Sequence, residues 1–196
     1  MIRLFTALCK VYYEKLLSEW QAFLEATAEF SYMREACPKC GAKSKLAGYG
    51  NYGRGLTSHE DGQVVYRLIS VLRYLCASCK TTHALLPDII VPYSPYSLLF
   101  MLAALIAYYE RDGTVADACA RLGIATSTIY KWKERIAEHK DLMLGLLISR
   151  KRHAHSYILG LLGSSGLSAA LCRFFRVYGF SFMQCRSISA SRSRPP

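Results

Sequence analysis

The sequence predicts an α+β chain, mostly helical, in which a small ribbon built on four cysteines precedes a three-helix domain, with helical extensions at both ends. Three observations predict it. Two C-x2-C pairs, Cys37/Cys40 and Cys76/Cys79, bracket a glycine-rich stretch and a β-branched run. A proline-bearing segment follows, and beyond it three short apolar-periodic segments are separated by turn and capping signals. Within those segments Cys119 stands four residues before Gly123.

Residues 1–36 read as an amphipathic helix with room for one break. No Pro or Gly interrupts them, and Leu4, Leu8, Tyr12, Leu16, Trp20, Phe23 and Leu24 recur at helical spacing. This segment carries no cluster of catalytic residue types, so its expected role is packing or self-association. Residues 37–90 form the ribbon. Gly41, Gly48, Gly50, Gly53, Gly55 and Gly62 punctuate its first half. Gln63 to Leu75 is rich in β-branched and aromatic residues, with Val65, Ile69, Val71 and Leu75 on one face of a period-2 pattern. One long strand should therefore feed directly into Cys76.

Pro87, Pro92 and Pro95 exclude helix or central strand and make residues 87–95 a linker between domains. The helical domain covers residues 91–140. Ser94-Pro95 reads as an N-cap with proline at the first helical position, opening a helix to about Arg111 that stops at Asp112-Gly113. Thr114 with Asp117 forms a capping box for a second helix ending near Gly123. A third starts at Thr126 or Ser127 and reaches about His139. Residues 141–186 are a helical basic extension, in which Leu142 to Ile148 extends or follows the third helix and Gly166 to Gln184 is a further apolar segment. Residues 187–196 (SISASRSRPP) read as a disordered basic tail.

Composition limits the function classes. The chain has 196 residues, 52% hydrophobic and 20% charged, enough to bury a core. Its longest unbroken apolar run, residues 98–109, is short of the roughly 18 to 20 residues that span a bilayer. The apolar run Leu4 to Cys9 stops at Lys10 with no small-residue cleavage site after it, so a cytoplasmic, nucleoid-associated protein is expected. The net charge of +11 points to an anionic partner, either nucleic acid or a membrane surface. By segment it is −1 over residues 1–36, +4 over 37–90, +1 over 91–140 and +7 over 141–196.

The cysteines carry the strongest motif. In a reducing compartment eight of them are ligands, buried thiols or nucleophiles rather than a disulfide framework. Two residues between cysteines let one tight knuckle present both thiolates to one ion, and two knuckles complete a closed tetrahedral zinc site. Cys37, Cys40, Cys76 and Cys79 are the expected ligands of one structural Zn2+, and a redox dithiol is the alternative for either pair. Zinc in such a site supplies on the order of 10 kcal/mol of folding free energy. With four cysteines in place, His83 reads as a surface residue. Cys9, Cys172 and Cys185 lie among apolar residues without companions at ligand spacing and are expected as buried thiols.

Val115 to Arg135 (VADACARLGIATSTIYKWKER) has the requirements of a helix-turn-helix. Cys119 is the small residue where the helices cross, Gly123 takes the left-handed turn, and Leu122, Ile124, Ile129 and Trp132 supply apolar contacts. Thr126, Ser127, Tyr130, Lys131 and Glu134 are left on the face that would enter a major groove. Thr126, Ser127, Tyr130, Lys131 and Lys133 are the expected DNA contacts, joined by the basic cluster Arg150, Lys151 and Arg152. An ordinary solvated face on three packed helices is the alternative.

Residues 37–136 resemble the zinc-ribbon and helix-turn-helix region at the front of insertion-sequence transposases, and an uncharacterised bacterial family with the same order of ribbon, linker and helices. CPKCG, RYLCASC, LLPDIIVPYSPYS and ACARLGIATSTIYKW carry the resemblance. Lys80 departs from it where a glycine often follows the second knuckle, and Ala125 where a Ser or Thr usually caps the recognition helix. The resemblance implies double-stranded DNA as partner, with a homodimer or a separate transposase subunit as further partners. It does not bring the chemistry with it. Strand transfer by the usual carboxylate-bearing domain needs three acidic ligands for two metal ions, and after His139 only Asp141 is acidic. No G-x-S-x-G or Walker loop is present either, so no catalytic residue and no enzyme is expected. A ribbon that binds protein partners as an interaction adaptor is the alternative function.

Overall fold

The computed structural model describes residues 2–4, 19–28, 30–60, 63–110, 113–147, 154–162 and 167–185. It is an α+β fold in which a three-stranded antiparallel sheet carries the four-cysteine cluster and several helices follow. The sheet begins with a long hairpin. β2 (Leu46–Glu60) pairs with β3 (Gln63–Cys76) from Leu46↔Cys76 to Glu60↔Gln63, and a shift between Gly48 and Asn51 bends the ribbon. β4 (Thr82–Pro87) adds antiparallel to β3, with Arg73 opposite Ala84 and Leu75 opposite Thr82.

The start of the chain departs from the expected helix. Ile2–Leu4 is a short strand, β1, that joins β4 in parallel, with Ile2 opposite Leu85 and Leu4 opposite Pro87. The free edge of β4 offers backbone partners from far along the chain, and helical spacing of apolar residues cannot register such an offer. Helix is present later in the segment, as α1 (Glu19–Ala28), followed by a 3-10 turn at Tyr32–Arg34. Residues 5–18, with Cys9, lie outside the described residues.

The face expected to be apolar on β3 is buried at Ile69 and Val71, where it meets Phe23, Leu56, Leu86, Ile90 and Leu99. Nearer the cysteines the opposite face is buried as well. Tyr74 and Cys76 pack there with Cys37, Leu46 and Leu85, and the rings of Phe30 and Tyr32 close over Tyr74.

The segment expected as a linker is no loose tether. Residues 87–92 are buried, Thr57 N–H donates to Pro95 O (2.6 Å), Ser97 N–H to Thr57 O (3.0 Å) and Leu98 N–H to Ile89 O (2.8 Å). Arg54 adds two bonds from Nη2, to Val91 O (2.6 Å) and Ser94 O (2.5 Å). Because Pro95 is committed to β2, the first helix of the helical region, α2 (Leu98–Glu110), starts later than Ser94-Pro95 predicted. Its cap is Ser97, whose Oγ accepts from Phe100 N–H at 3.0 Å.

α3 (Val115–Leu122) and α4 (Thr126–Leu147) follow, α4 running well past His139. Two further helices, α5 (Ala154–Leu162) and α6 (Leu167–Tyr178), pack into the same core as α2–α4 through Ile158, Leu167, Leu171 and Phe174. The extension is thus part of the helical core. Phe180, Phe182 and Met183 close it, with Met183 N–H donating to the buried His139 Nδ1 at 2.8 Å and Arg135 Nη1 donating to Met183 O at 3.0 Å. Cys172 and Cys185 are half-buried rather than buried. Residues 186–196 lie outside the described residues.

Candidate metal centre and helix-turn-helix face

The two cysteine knuckles have matching backbones. In the first, Gly41 N–H donates to Cys37 O (2.9 Å) and Cys37 N–H to Ala42 O (3.0 Å). In the second, Lys80 N–H donates to Cys76 O (2.9 Å) and Cys76 N–H to Thr81 O (3.0 Å). Each knuckle needs a left-handed residue after its second cysteine. Gly41 takes φ +71° and Lys80 takes φ +57°, so the lysine occupies the glycine position and keeps its conformation.

These knuckles bring four sulfurs together. All lie within 4.8 Å of one another, with Cys37 Sγ 3.6 Å from Cys79 Sγ and Cys40 Sγ 3.8 Å from Cys76 Sγ. A tetrahedron with metal–sulfur bonds of about 2.3 Å separates its ligands by about 3.8 Å, so the set fits one zinc ion. Cys37 and Cys76 are buried, Cys79 is half-buried and Cys40 reaches solvent. The Thr81 hydroxyl draws the Cys79 thiol down to about 6, and the Cys79 backbone N–H lowers Cys76. The Ala42 backbone N–H pulls the same way on Cys40, but desolvation and the neighbouring sulfurs push that thiol up to about 11. Part of the set is therefore biased toward the thiolate that a metal requires. Four sulfurs around one ion would leave no open position for a metal-bound water.

His83 is the residue that sequence reasoning missed. Its place after a complete set of four cysteines predicts a surface residue, but it is buried, with Nε2 3.2 Å from Cys37 Sγ. Burial lowers its pKa, which favours a neutral ring able to donate an N–H to a thiolate. β4 carries it there: His83 lies directly opposite Tyr74, two residues before Cys76. The four-residue spacing from Cys79 was the only available signal.

The capping and turn signals of residues 114–124 are realised in the backbone between α3 and α4. Thr114 Oγ1 accepts from Asp117 N–H (3.1 Å) while the Asp117 carboxylate accepts from Thr114 N–H (3.0 Å), a reciprocal capping box. Gly123 adopts φ +62°, ψ +33°, and Ile124 N–H returns to Cys119 O (3.0 Å), which ends α3 and turns the chain into α4. No side chain caps α4 at Ala125; the Ala125 carbonyl accepts from Thr128 N–H instead. Cys119, Ile124, Ile129, Trp132 and Ile136 are buried between the helices, with Trp132 edge-on to Tyr96 and Phe100.

Thr126, Ser127, Tyr130, Lys131 and Glu134 are exposed together on the opposite face of α4. Lys133 stands apart from them, half-buried with Nζ over the Tyr108 ring at 5.3 Å. Its ammonium is engaged by α2 rather than presented with Lys131. Arg150, Lys151 and Arg152 lie outside the described residues. No helix among the described residues is long and apolar enough to cross a membrane.

No curated protein and no solved structure matches the chain. Residues 37–132, from the first cysteine of the ribbon to the buried tryptophan of α4, match the model of a family described as a domain of unknown function (DUF6431).

Proposed function

We propose that this protein binds double-stranded DNA, with α4 entering the major groove and the ribbon acting as a zinc-stabilised scaffold beside it. One observation carries the reading: Thr126, Ser127, Tyr130 and Lys131 share an exposed face on the first turns of a helix whose entry is fixed by a left-handed glycine. Thr126 and Ser127 sit where a recognition helix meets base edges or phosphate, and Tyr130 and Lys131 one turn on reach the bases or the backbone. The resemblance to the front region of insertion-sequence transposases supports the same role. In this role the chain serves as a regulator, or as the DNA-reading partner of a separate transposase subunit or of a second copy of itself.

Genomic-library selection of bound DNA, with zinc measured on the same preparation, tests this. A preferred duplex site and one zinc per chain are expected. Tyr130→Ala combined with Lys131→Ala should weaken binding to that site roughly tenfold or more while leaving zinc content unchanged. Unaltered affinity in the double variant overturns the reading, and failure to bind any duplex at low salt would favour the protein-binding adaptor.

A further inference from the structure

A cleft of about 710 Å³ lies between the ribbon and residues 92–95, and none of its described lining residues belongs to α4. Its volume falls in the range of small-molecule sites. Three tyrosines stand around it with much of their rings in water: Tyr52 is 37% exposed, Tyr66 67% and Tyr93 69%. Gathering three exposed aromatic rings around one concavity leaves a large apolar area unburied, which favours occupation by something planar.

Two local features shape the cleft. Tyr66 lies so close over Gly55 that an added Cβ would come within 2.5 Å of its hydroxyl, so the glycine makes the ring's position possible. Tyr93 takes φ +61°, a left-handed conformation that bulky residues seldom adopt. Arg54 holds that turn by donating to the Val91 and Ser94 carbonyls on either side of it.

The charge around the cleft is positive. None of the described lining residues is acidic, and Arg54 is among them. Arg73 lies directly opposite Ala84, another lining residue, and therefore extends from the same face of the sheet. Its guanidinium sits over the Tyr49 ring at 5.5 Å, and its buried Nε has no hydrogen-bond partner. Proline-rich peptides also pack on tyrosine-lined grooves, but two arginines without a carboxylate favour a polyanion.

We propose that this cleft binds an unpaired base of a single DNA strand, the tyrosine rings stacking on the base and Arg54 and Arg73 supplying the positive field for its flanking phosphates. The proposal rests on nucleic acid being the partner, and it assigns the ribbon a ligand distinct from the duplex read by α4. A ribbon that takes an unpaired base would let the protein engage an opened or frayed end next to its duplex site.

The test is fluorescence anisotropy of the zinc-loaded full chain with a labelled oligothymidylate and, separately, with the selected duplex. Tyr93→Asn removes the ring while suiting the left-handed backbone, and Tyr52→Leu removes a second ring. Each should weaken single-strand binding at least about fivefold and leave duplex affinity and zinc content unchanged. The Tyr130→Ala, Lys131→Ala double variant should do the reverse. Single-strand affinity unchanged in both tyrosine variants overturns the proposal. So does competition by free thymidine monophosphate as strong as by the strand, which would assign a nucleotide site, or capture of a proline-rich peptide in place of the strand. Tyrosine-dependent strand binding without duplex binding upholds the cleft and overturns only the helix-turn-helix reading.

Discussion

At the scale of single residues, the candidate metal centre has a neighbour besides its four sulfurs. The His83 imidazole reaches Cys37 Sγ at 3.2 Å from within the core, where a donated N–H would stabilise a bound thiolate. Replacing it with phenylalanine keeps ring volume and all four sulfurs. His83→Phe should therefore retain one zinc per chain but release it to a competing chelator at about 10- to 100-fold lower chelator strength, because outer partners of ligands contribute at that level. Cys76→Ser, which removes a buried ligand, should lose the metal outright and leave the ribbon unfolded by near-ultraviolet circular dichroism. Unchanged zinc affinity in His83→Phe would show that the imidazole only fills space. The contrast explains what the sequence could reveal at this scale. Each knuckle is closed within a few residues, so the ligands are legible from spacing alone, whereas His83 reaches Cys37 only after β4 folds across β3.

Among the elements, legibility follows the same division between local and distant causes. The start of α3 is written in two side chains three residues apart, and its end in the backbone freedom of Gly123. The start of α2 could not be read that way. Ser94-Pro95 has the right chemistry for a cap, but Pro95 O is taken by Thr57 of β2 and the helix waits for Ser97. The parallel pairing of β1 with β4 joins residues at opposite ends of the first half of the chain, beyond the reach of periodicity. The length of α4 depends on packing against α6, on the bond Arg135 donates to Met183 O and on the bond His139 Nδ1 accepts from Met183 N–H.

The capping box of α3 gives this scale its prediction. Thr114→Ala removes the hydroxyl that accepts from Asp117 N–H and should cost about 1 kcal/mol in chemical denaturation. Its effect should depend on pH in a definite direction. The Thr114 hydroxyl and backbone N–H hold the Asp117 carboxyl below its ordinary value, so its contribution is complete above the usual carboxylate range and disappears as pH falls through the lowered value. The gap between wild type and variant should thus be largest at neutral pH and narrow in acid, where the bond from the Thr114 hydroxyl to the Asp117 carboxylate is lost and the one from Asp117 N–H remains. A difference that stayed constant across that range would mean that the threonine acts without its aspartate.

For the molecule as a whole, the proposed DNA binding raises the question of how a chain with a net charge of +11 would divide affinity from selectivity. The residues around the proposed recognition helix carry little of that charge, +1 over 91–140, and Lys133 is already engaged with Tyr108. The excess lies in the ribbon, +4, and beyond α4, +7. Phosphate contacts add affinity without sequence information, and each releases counterions on binding, so they set the salt dependence. Residues 186–196 hold three of those positive charges, Arg186, Arg192 and Arg194. Deleting that segment should lower affinity for every duplex and reduce the slope of log K against log salt by up to about 3, while the selected site stays the same. Titration of wild-type and truncated protein against the preferred and a scrambled duplex at several salt concentrations measures both quantities. Parallel loss on the two duplexes supports the division, with bases read by α4 and phosphates gripped by the terminal arginines. A loss confined to the preferred duplex would instead place sequence recognition in the tail and leave α4 without that role.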